Sequence, residues 1–425
     1  MLVAALLISL LAMILIGVPI AIALAASSML YIALSGTIPE IAVIHRMVNG
    51  VDSFPLLAIP FFIMAGNLMN SAGITERIFS FAKACVGWLH GGLGHVNVAG
   101  SVIFAGMSGT AVADAGGLGT IEIKAMRDHG YEVKFAVGLT AASSTIGPII
   151  PPSLPLVIYG VVASASIGQL FIAGIVPGLL MAAFLMLTVT WYAWRRGYPR
   201  DAEFRLSEIW RTGKRAFLPM MTPVIIIGGM TFGLFTPTEA AVAACAYALL
   251  LGLYYRSLGW RQLIRVSFDT IETTAVVLFV VAGASIFGWV LTTSRVTETF
   301  AAELLSITQD PVMLLILINL LLLVVGCFME TIAAITILTP VLLPITNHLG
   351  IDPVQFGIIM VLNLMIGLLT PPVGMVLFVL ARVASISFED CVKAVAPFLI
   401  PLLVVLAIVT FVPAVTLWLP TLIYR

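Results

Sequence analysis

The sequence predicts an all-α polytopic membrane protein built from two inverted-topology repeats, each with a re-entrant helical hairpin and a proline-broken span. Hydrophobic residues make up 61% of the 425 residues and charged residues only 9%, far from the soluble average of about half apolar and a quarter charged. Double prolines stand inside two long apolar stretches, as Pro151-Pro152 and Pro371-Pro372. Basic residues concentrate on one predicted face of the membrane, as short cytoplasmic loops require.

Apolar stretches fill nearly the whole chain, and a span of the hydrocarbon core needs about 20 residues. The first predicted span is kinked at Pro19. Two stretches are interrupted near their middles by Gly, Ser, Thr and an acid, which indicates re-entrant hairpins at 92–130 and 312–348. Complete spans are predicted near 2–35, 55–72, 133–165, 168–193, 217–235, 238–255, 268–293, 353–386 and 397–421.

The repeat is visible as a constant shift of 220 residues, the difference between 371 and 151. It superimposes the two double prolines, places Ser143 on Asn363, and places GMSGTAVAD (106–114) on GCFMETIAA (326–334). Each half therefore has a span, an amphipathic arm, a hairpin and a broken span. The arms are predicted at 74–90 and 296–308, lying along the membrane interface.

The orientation follows from crossings and charge. Five predicted crossings separate the two hairpins, so the hairpins enter from opposite faces. If the polar linker at 195–215 is cytoplasmic, 17 of the 20 Lys and Arg residues lie on that side, which fits the positive-inside rule. The exceptions are Arg46, Arg295 and Arg425. The bilayer is the expected partner of most of the surface, and no nucleic-acid partner is expected.

Each double proline creates a pair of helix ends inside the membrane. Pro151, Pro152, Pro371 and Pro372 have no N–H to donate to the carbonyl four residues earlier. Freed carbonyls at membrane depth occur where protein or a water-filled cavity satisfies them, and broken-helix transporters use them as sodium ligands. The freed carbonyls are those of Gly147, Pro148, Gly367 and Leu368.

Short polar side chains at the hairpin tips are expected to face these breaks. Hydroxyl and carbonyl oxygens are ligands for a hard cation. We therefore predict two cation sites that flank one substrate site. The first cluster comprises Met107, Ser108, Gly109, Thr110, Ser143, Ser144 and Thr145, and the second comprises Glu330, Thr331, Asn363 and Thr370.

Two acids, Asp114 and Glu330, lie deepest in the hairpins and are functional candidates because intramembrane acids are costly. Two interpretations are open for each: a proton or sodium carrier, or a cap on a hairpin helix. Asp114 has Ala334 as its counterpart. The charged run at 121–134 is interpreted as the solvated base of the first hairpin. Cysteines and histidines form no metal-ligand pattern.

Four motifs then identify a resemblance that covers essentially the whole chain: SGTAVAD (108–114), GPIIPPS (147–153), GLFTPTEAAVAA (233–244) and GLLTPPVG (367–374). Together they resemble the large membrane subunit of tripartite ATP-independent periplasmic (TRAP) transporters. The resemblance implies sodium-driven import of an organic acid across the bacterial inner membrane by an elevator mechanism. It also implies a periplasmic substrate-binding protein and a separate small four-helix membrane subunit as partners.

The resemblance assigns roles by motif. Its transport and scaffold parts divide the chain into an N-terminal scaffold span (1–54), a first repeat (55–193), a basic cytoplasmic linker (194–216) and a second repeat (217–425). The scaffold spans of the second repeat are expected at 217–255. Substrate contacts are expected from Ser108, Gly109, Ser143, Ser144, Thr145, Glu330 and Asn363. One sodium site would use Ser108, Thr110, Gly147 and Ile150, and the other Met329, Thr331, Gly367 and Thr370.

The substrate class stays open between sialic acid or another sugar acid and a C4-dicarboxylate, with AVADAGGLG (111–119) favouring sugar acids. The alternative function is an ion or solute channel, in which the polar breaks line a continuous pore. An enzyme is not expected, because no nucleophile and base share a predicted site. ATP hydrolysis is not expected either, because the chain contains no P-loop motif.

Overall fold

The fold is helical throughout the part of the chain that the structure describes. A computed structural model describes residues 2–36, 38–296, 308 and 310–424, except the side chains of Leu15 and Ser108. Seven helices within these ranges are long and apolar enough to cross a membrane, which confirms the prediction of an all-α, multi-pass membrane protein. They are Phe54–Ser71, Ile167–Arg196, Pro237–Tyr254, Trp260–Thr293, Pro311–Phe328, Thr331–His348 and Phe388–Phe411.

The helices follow one another with short connections. A 3-10 turn at Phe54–Leu57 leads into α4. The amino-terminal helices are α1 (Leu2–Leu15), α2 (Ile20–Ser35), α3 (Ile41–Val51), α4 (Ala58–Ser71), α5 (Ile74–Val86), α6 (Gly92–Ser108), α7 (Ala111–Gly116), α8 (Leu118–Asp128), α9 (Val133–Ser144), α10 (Leu154–Val162) and α11 (Ile167–Arg196). The remaining described helices are α12 (Leu206–Thr231), α13 (Pro237–Tyr254), α14 (Trp260–Thr293), α15 (Pro311–Phe328), α16 (Thr331–His348), α17 (Pro353–Gly367), α18 (Met375–Ala384), α19 (Phe388–Phe411) and α20 (Ala414–Ile423).

Consecutive helices occupy both ranges in which the sequence predicts hairpins. The first hairpin is α6 followed by α7 and α8, and the second is α15 followed by α16. The hairpins end at Asp128 and His348, and the next helices start at Val133 and Pro353. Each of these pairs is separated by 220 residues, so the helix boundaries keep the shift seen in the sequence.

Both proline-broken spans are divided where the double prolines predict. The first break, residues 145–153, separates α9 from α10, and the second break, residues 368–374, separates α17 from α18. The carboxyl-terminal span differs from its predicted range of 397–421. It starts earlier, at Phe388, and is divided after Phe411, because Pro413 has no N–H with which to continue the helix.

Three other segments refine the predicted boundaries. The linker is helical from Leu206 onward, so only 197–205 connects α11 to α12 outside a helix. The first arm is the helix α5, whereas 297–307 of the second arm lies outside the described residues. Helix α3 was not predicted. Its Arg46 guanidinium lies 4.8 Å from the centroid of the Trp289 ring, which packs α3 against α14.

The second helix of each broken span packs against the hairpin of the other half. Helix α10 of the first half packs against α16 of the second hairpin, and α18 of the second half packs against α7 of the first hairpin. The Tyr159 hydroxyl on α10 donates a hydrogen bond of 2.7 Å to the Pro353 carbonyl at the start of α17. Both hairpins and both breaks therefore belong to one packed block, beside which α2, α3, α4, α13 and α14 pack against one another.

Candidate functional site

The first break is held by its own polar groups. Ser153 accepts a hydrogen bond of 3.2 Å from the Leu156 N–H and so caps α10. The Ser153 hydroxyl also donates to the carbonyl of Pro148, one of the groups freed by the double proline. No described residue donates a hydrogen bond to the other freed carbonyl, that of Gly147. The Gly147 carbonyl therefore keeps both lone pairs for a ligand, whereas that of Pro148 keeps one.

The second break satisfies one of its freed carbonyls in a different way. The carbonyl of Gly367 accepts hydrogen bonds of 3.0 Å from both the N–H and the hydroxyl of Thr370. The Leu368 carbonyl accepts no hydrogen bond from the described residues. Each break therefore contains one carbonyl satisfied locally and one that is not. Only the Gly367 carbonyl has both lone pairs occupied by hydrogen bonds from described residues.

Each hairpin tip contacts the break of its own half. The Gly109 carbonyl accepts a hydrogen bond of 3.4 Å from the Leu154 N–H at the start of α10. In the second half, the Cys327 carbonyl accepts one of 3.2 Å from the Val373 N–H. Of these four residues only Gly109 belongs to a predicted cluster, so the contacts join each tip to its break mainly through residues that were not predicted.

Two glycines make these contacts possible. Gly109 has a φ of +62°, and a Cβ there would lie 2.8 Å from the Pro152 carbonyl oxygen. A Cβ on Gly367 would lie 2.4 Å from the carbonyl carbon of Gly326, so the backbones of α15 and α17 touch. A side chain at either position would collide with backbone rather than with a movable side chain.

The hydroxyl groups of the clusters are oriented by local hydrogen bonds. Thr110 caps α7 by accepting from the Ala113 N–H at 3.3 Å. Ser144 and Thr145 donate to carbonyls three residues earlier, at 2.8 Å and 2.6 Å. A hydroxyl that donates its proton still offers lone pairs to a cation. Ser108 ends α6, and its side chain lies outside the described part of the structure.

The residues at positions 143 and 363 each donate a hydrogen bond to an asparagine on the first helix, here called the entering helix, of the hairpin in their half. Ser143 donates a hydrogen bond of 2.7 Å to the Asn97 side-chain oxygen on α6. The Asn363 amide donates one of 2.7 Å to the Asn319 side-chain oxygen on α15. Both residues therefore face the hairpin, where they position the broken helix against it.

The deep acids behave differently from each other. Glu330 caps α16, accepting hydrogen bonds from the N–H groups of Ile332 (2.9 Å) and Ala333 (3.2 Å), which confirms its capping interpretation. It also borders a cavity of about 560 Å³ between α2, α14 and α16. Asp114 caps nothing. It is buried in α7, faces the Ser101 hydroxyl, and its Oδ2 atom has no hydrogen-bond partner among the described residues.

A third buried acid, Glu122, was wrongly assigned to the solvated base of the first hairpin. It is only 1% exposed, and its Oε2 atom accepts a hydrogen bond of 2.5 Å from the Asn97 amide. Helical spacing carried the signal. Glu122 follows Leu118 by four residues and precedes Met126 by four, so it shares the buried face of α8, whereas Lys124 and Arg127 do not.

Residues of the second sodium cluster sit at the start of α16. Met329 precedes Glu330 in extended conformation, and its N–H donates a hydrogen bond of 2.9 Å to the Val325 carbonyl at the end of α15. The Thr331 hydroxyl is buried and has no hydrogen-bond partner among the described residues. A buried hydroxyl of this kind normally finds a partner. Ile150, assigned to the first sodium site, lies in the first break, and a Cβ on Gly178 of α11 would touch its side chain.

Comparison with known proteins agrees with this architecture. A family model described as "Tripartite ATP-independent periplasmic transporter, DctM component" matches residues 7–415. The chain is 49% identical to the sialic acid TRAP transporter large permease protein SiaM of Vibrio cholerae serotype O1, over 96% of this chain and 95% of that protein. It is 43% identical to the sialic acid TRAP transporter permease protein SiaT of Haemophilus influenzae, over 96% of this chain and 66% of that protein.

A solved structure shares the fold. The YdaH transporter of Alcanivorax borkumensis superimposes with a TM-score of 0.59 over 87% of this chain and 86% of that one, at 16% sequence identity. The relatives are named as transporter permeases, which confirms that the chain is not an enzyme. The extent and identity of these matches lead to one conclusion: this chain belongs to the DctM family, the large permease component of tripartite ATP-independent periplasmic transporters.

Proposed function

We propose that this protein is the large membrane subunit of a sodium-coupled importer that moves an organic acid across the bacterial inner membrane. A periplasmic binding protein would deliver the acid, and a small four-helix membrane subunit would pack on the scaffold. The observation that carries the proposal is the contact of each hairpin tip with an oxygen-rich break, made twice in a chain of this family. A helix break with paired termini suits both a cation and an anion.

The first sodium site would use Ser108 and Thr110 with the carbonyls of Gly147 and Ile150. Two observations support it: the Gly147 carbonyl accepts no hydrogen bond from a described residue, and Gly109 of the hairpin tip contacts Leu154 at the end of the same break. Sodium bound there would supply positive charge for the carboxylate of the substrate. Thr110 would contribute the remaining lone pair of its capping hydroxyl.

The second sodium site would use the turn from Met329 to Thr331 with Gly367 and Thr370. The buried Thr331 hydroxyl without a described partner supports this assignment. The Gly367 carbonyl already accepts two hydrogen bonds from Thr370. We therefore expect the Thr370 hydroxyl and Thr331 to contribute more than the Gly367 carbonyl.

The substrate would bind between the two clusters. Ser108, Gly109, Ser144, Thr145 and Glu330 are the proposed contacts, and the contribution of Ser143 and Asn363 would come through the asparagines that they bind. The 49% identity to a sialic acid permease favours sialic acid or a related sugar acid over a C4-dicarboxylate.

Movement would follow an elevator mechanism, in which the block of hairpins and breaks slides against the scaffold. The 220-residue register of helix boundaries and the exchange of α10 and α18 between halves support two inverted repeats acting as one body. One surface at which sliding would occur lies between that block and α12, where Pro223 packs on Gly106.

The test is uptake of labelled sialic acid and of succinate into proteoliposomes that contain the complex, with and without a sodium gradient and the cognate binding protein. Thr331→Val and Thr370→Val test the second sodium site. Thr188→Val, which removes a hydroxyl that bonds only its own helix in α11, is the matched control. We expect the sodium concentration for half-maximal uptake to rise about tenfold in the first two variants, equivalent to about 1.4 kcal/mol.

Uptake that saturates and depends on both sodium and the binding protein would support the importer, and the labelled acid would identify the substrate class. Uptake that neither saturates nor requires either of them would contradict it and favour the channel. An unchanged sodium dependence in both threonine variants would refute the second site alone.

A further inference from the structure

A polar cleft of about 590 Å³ lies on the basic side of the protein, away from the hairpins and breaks. It is formed by the first arm helix α5, by the early part of α12 and by the carboxyl-terminal end of α13. Arg77 on α5 and Arg215 on α12 line it from opposite walls, together with the hydroxyl-bearing residues Ser80, Thr212 and Ser257.

The two arginines have no acidic partner in the described part of the chain. The ion pairs found there are Lys134–Asp390, Arg196–Glu132, Arg205–Glu203 and Arg211–Glu208. The Arg77 guanidinium instead lies 3.8 Å from the centroid of the Tyr255 ring, which fixes its plane and leaves its N–H edge free. Arg215 is exposed.

One acid, Glu76, also lines the cleft. It is exposed, and among the described residues it forms no ion pair with either arginine. The cleft therefore holds two guanidinium groups against one carboxylate. Its excess of positive charge and its guanidinium N–H donors suit an anion with several oxygen atoms.

Phosphate matches this set of donors better than a carboxylate does. A guanidinium group binds phosphate through two parallel N–H···O bonds, and two such groups on opposite walls can engage different oxygens of one phosphate. The hydroxyls of Ser80, Thr212 and Ser257 already donate to backbone carbonyls at 2.8, 2.7 and 3.3 Å, so the guanidinium groups are the donors that the cleft offers to the anion. The volume exceeds that of a phosphate ion, so the cleft has room for an ester attached to it.

We propose that this cleft binds a phosphate group, carried either by a phospholipid headgroup of the cytoplasmic leaflet or by a free phosphate. The positive-inside distribution of Lys and Arg places Arg77, Arg215 and Arg256 on that side of the membrane. The bound group joins α5 to α12 and α13. Because α5 also packs on α6 of the first hairpin, an occupied cleft fastens the arm of the hairpin to the neighbouring span helices.

The test uses the full-length chain in complex with its small subunit, purified in a neutral detergent at constant ionic strength. Its thermal unfolding midpoint is measured during titration with dihexanoyl phosphatidylglycerol, dihexanoyl phosphatidylcholine and sodium phosphate. Two variants are compared with the wild type: the double variant Arg77→Gln with Arg215→Gln, and the single variant Arg215→Gln. Because Arg215 is exposed, the single variant should keep the fold intact. Arg265→Gln, an exposed arginine of α14 outside the cleft, is the matched control.

We expect phosphatidylglycerol or phosphate to raise the midpoint of the wild type and of Arg265→Gln with the same half-saturating concentration. That concentration should rise about tenfold in Arg215→Gln and further in the double variant, equivalent to about 1.4 kcal/mol for the first step. A response to the lipid but not to phosphate identifies a headgroup site, and the reverse identifies free phosphate. Equal responses in wild type and double variant, or no response to any of the three in the wild type, overturn the proposal. Transport plays no part in this readout, so the result is independent of the importer mechanism.

Discussion

The two break regions share a backbone design but differ in their polar interiors. In the first, Asn97 connects Ser143, Thr140 and the buried carboxyl of Glu122. In the second, Asn319 connects Asn363 and Thr410, and the position 220 residues after Glu122 is the buried Leu342. The same tip-to-break contact thus forms with a glutamate at position 122 and with a leucine at the equivalent position 342. The contact itself is made by backbone groups in both regions.

The entering helices of the two hairpins also begin differently. The amino terminus of α15 is capped locally, because Asp310 accepts a 2.9 Å hydrogen bond from the Val312 N–H. The amino terminus of α6 is capped by Asp201, which lies in the linker and accepts a 2.8 Å hydrogen bond from the Leu93 N–H. Asp201 also accepts a hydrogen bond from the Tyr131 hydroxyl. The first hairpin therefore depends on a distant segment, and the second does not.

The largest expected effect comes from exchanging the buried residues of the two regions. Leu342→Glu would bury a carboxyl beside no asparagine donor and should lower stability by about 3 kcal/mol or more. Glu122→Leu removes one hydrogen-bond acceptor of Asn97, which keeps Thr140, and should cost about 1–2 kcal/mol. Thermal unfolding of the purified complex measures both. Equal losses would mean that the second region tolerates an acid as well as the first.

The next effect concerns the backbone contact of the second region. Gly367→Ala places a Cβ 2.4 Å from the Gly326 backbone and should cost about 3 kcal/mol, the upper end for an overpacked site. Gly228→Ala in α12 is the control, because nothing lies within 4 Å of the added Cβ. We expect a lower unfolding temperature and a loss of uptake for Gly367→Ala but not for Gly228→Ala. Two equally stable variants would contradict the close approach of α15 and α17.

The capping difference predicts an intermediate effect. Asp201→Ala removes both the α6 cap and the Tyr131 hydrogen bond and should cost about 2 kcal/mol, whereas Asp310→Ala removes a local cap worth about 1 kcal/mol. Thermal unfolding in detergent compares the two variants. A larger loss in Asp310→Ala would show that the linker does not anchor the first hairpin.

The pH dependence of this anchor can also be predicted. Burial, together with the hydrogen bond to Asp201 and its negative charge, raises the pKa of Tyr131 well above its usual range. A raised pKa means that the contribution of the hydroxyl is complete below the unfolded pKa of about 10 and is lost only above it. The stability difference between wild type and Tyr131→Phe should therefore be constant from pH 7 to about 9. A difference that shrinks within this interval would show that the hydroxyl ionises.

The smallest effect is expected at positions 143 and 363. Ser143→Ala leaves the Asn97 side-chain oxygen without its donor and should cost about 1 kcal/mol. Asn363→Leu should cost less, because the Asn319 oxygen keeps Thr410 and the unpartnered Asn363 oxygen is removed as well. The thermal unfolding midpoints of the two variants measure these losses. A larger loss in Asn363→Leu than in Ser143→Ala would contradict the hydrogen-bond assignment.

The sequence by itself determined the membrane class, the positions of both hairpins and both breaks, and the family. These features depend on local chemistry: apolar runs must lie in lipid, and a proline cannot continue a helix whatever surrounds it. The capping interpretation of Glu330 was accessible for the same reason, since the capped N–H groups are its immediate neighbours in the chain.

Only the tertiary structure decided which groups meet across the chain. The burial of Glu122, the capping of α6 by Asp201, the backbone contact of Gly326 with Gly367 and the pairing of Arg77 with Arg215 in one cleft each join separate helices. A charge in a polar run has the same sequence signature whether it faces water or an asparagine. What separates the two cases is the packing of helices, because that packing determines which polar groups lose water and must find partners in the protein.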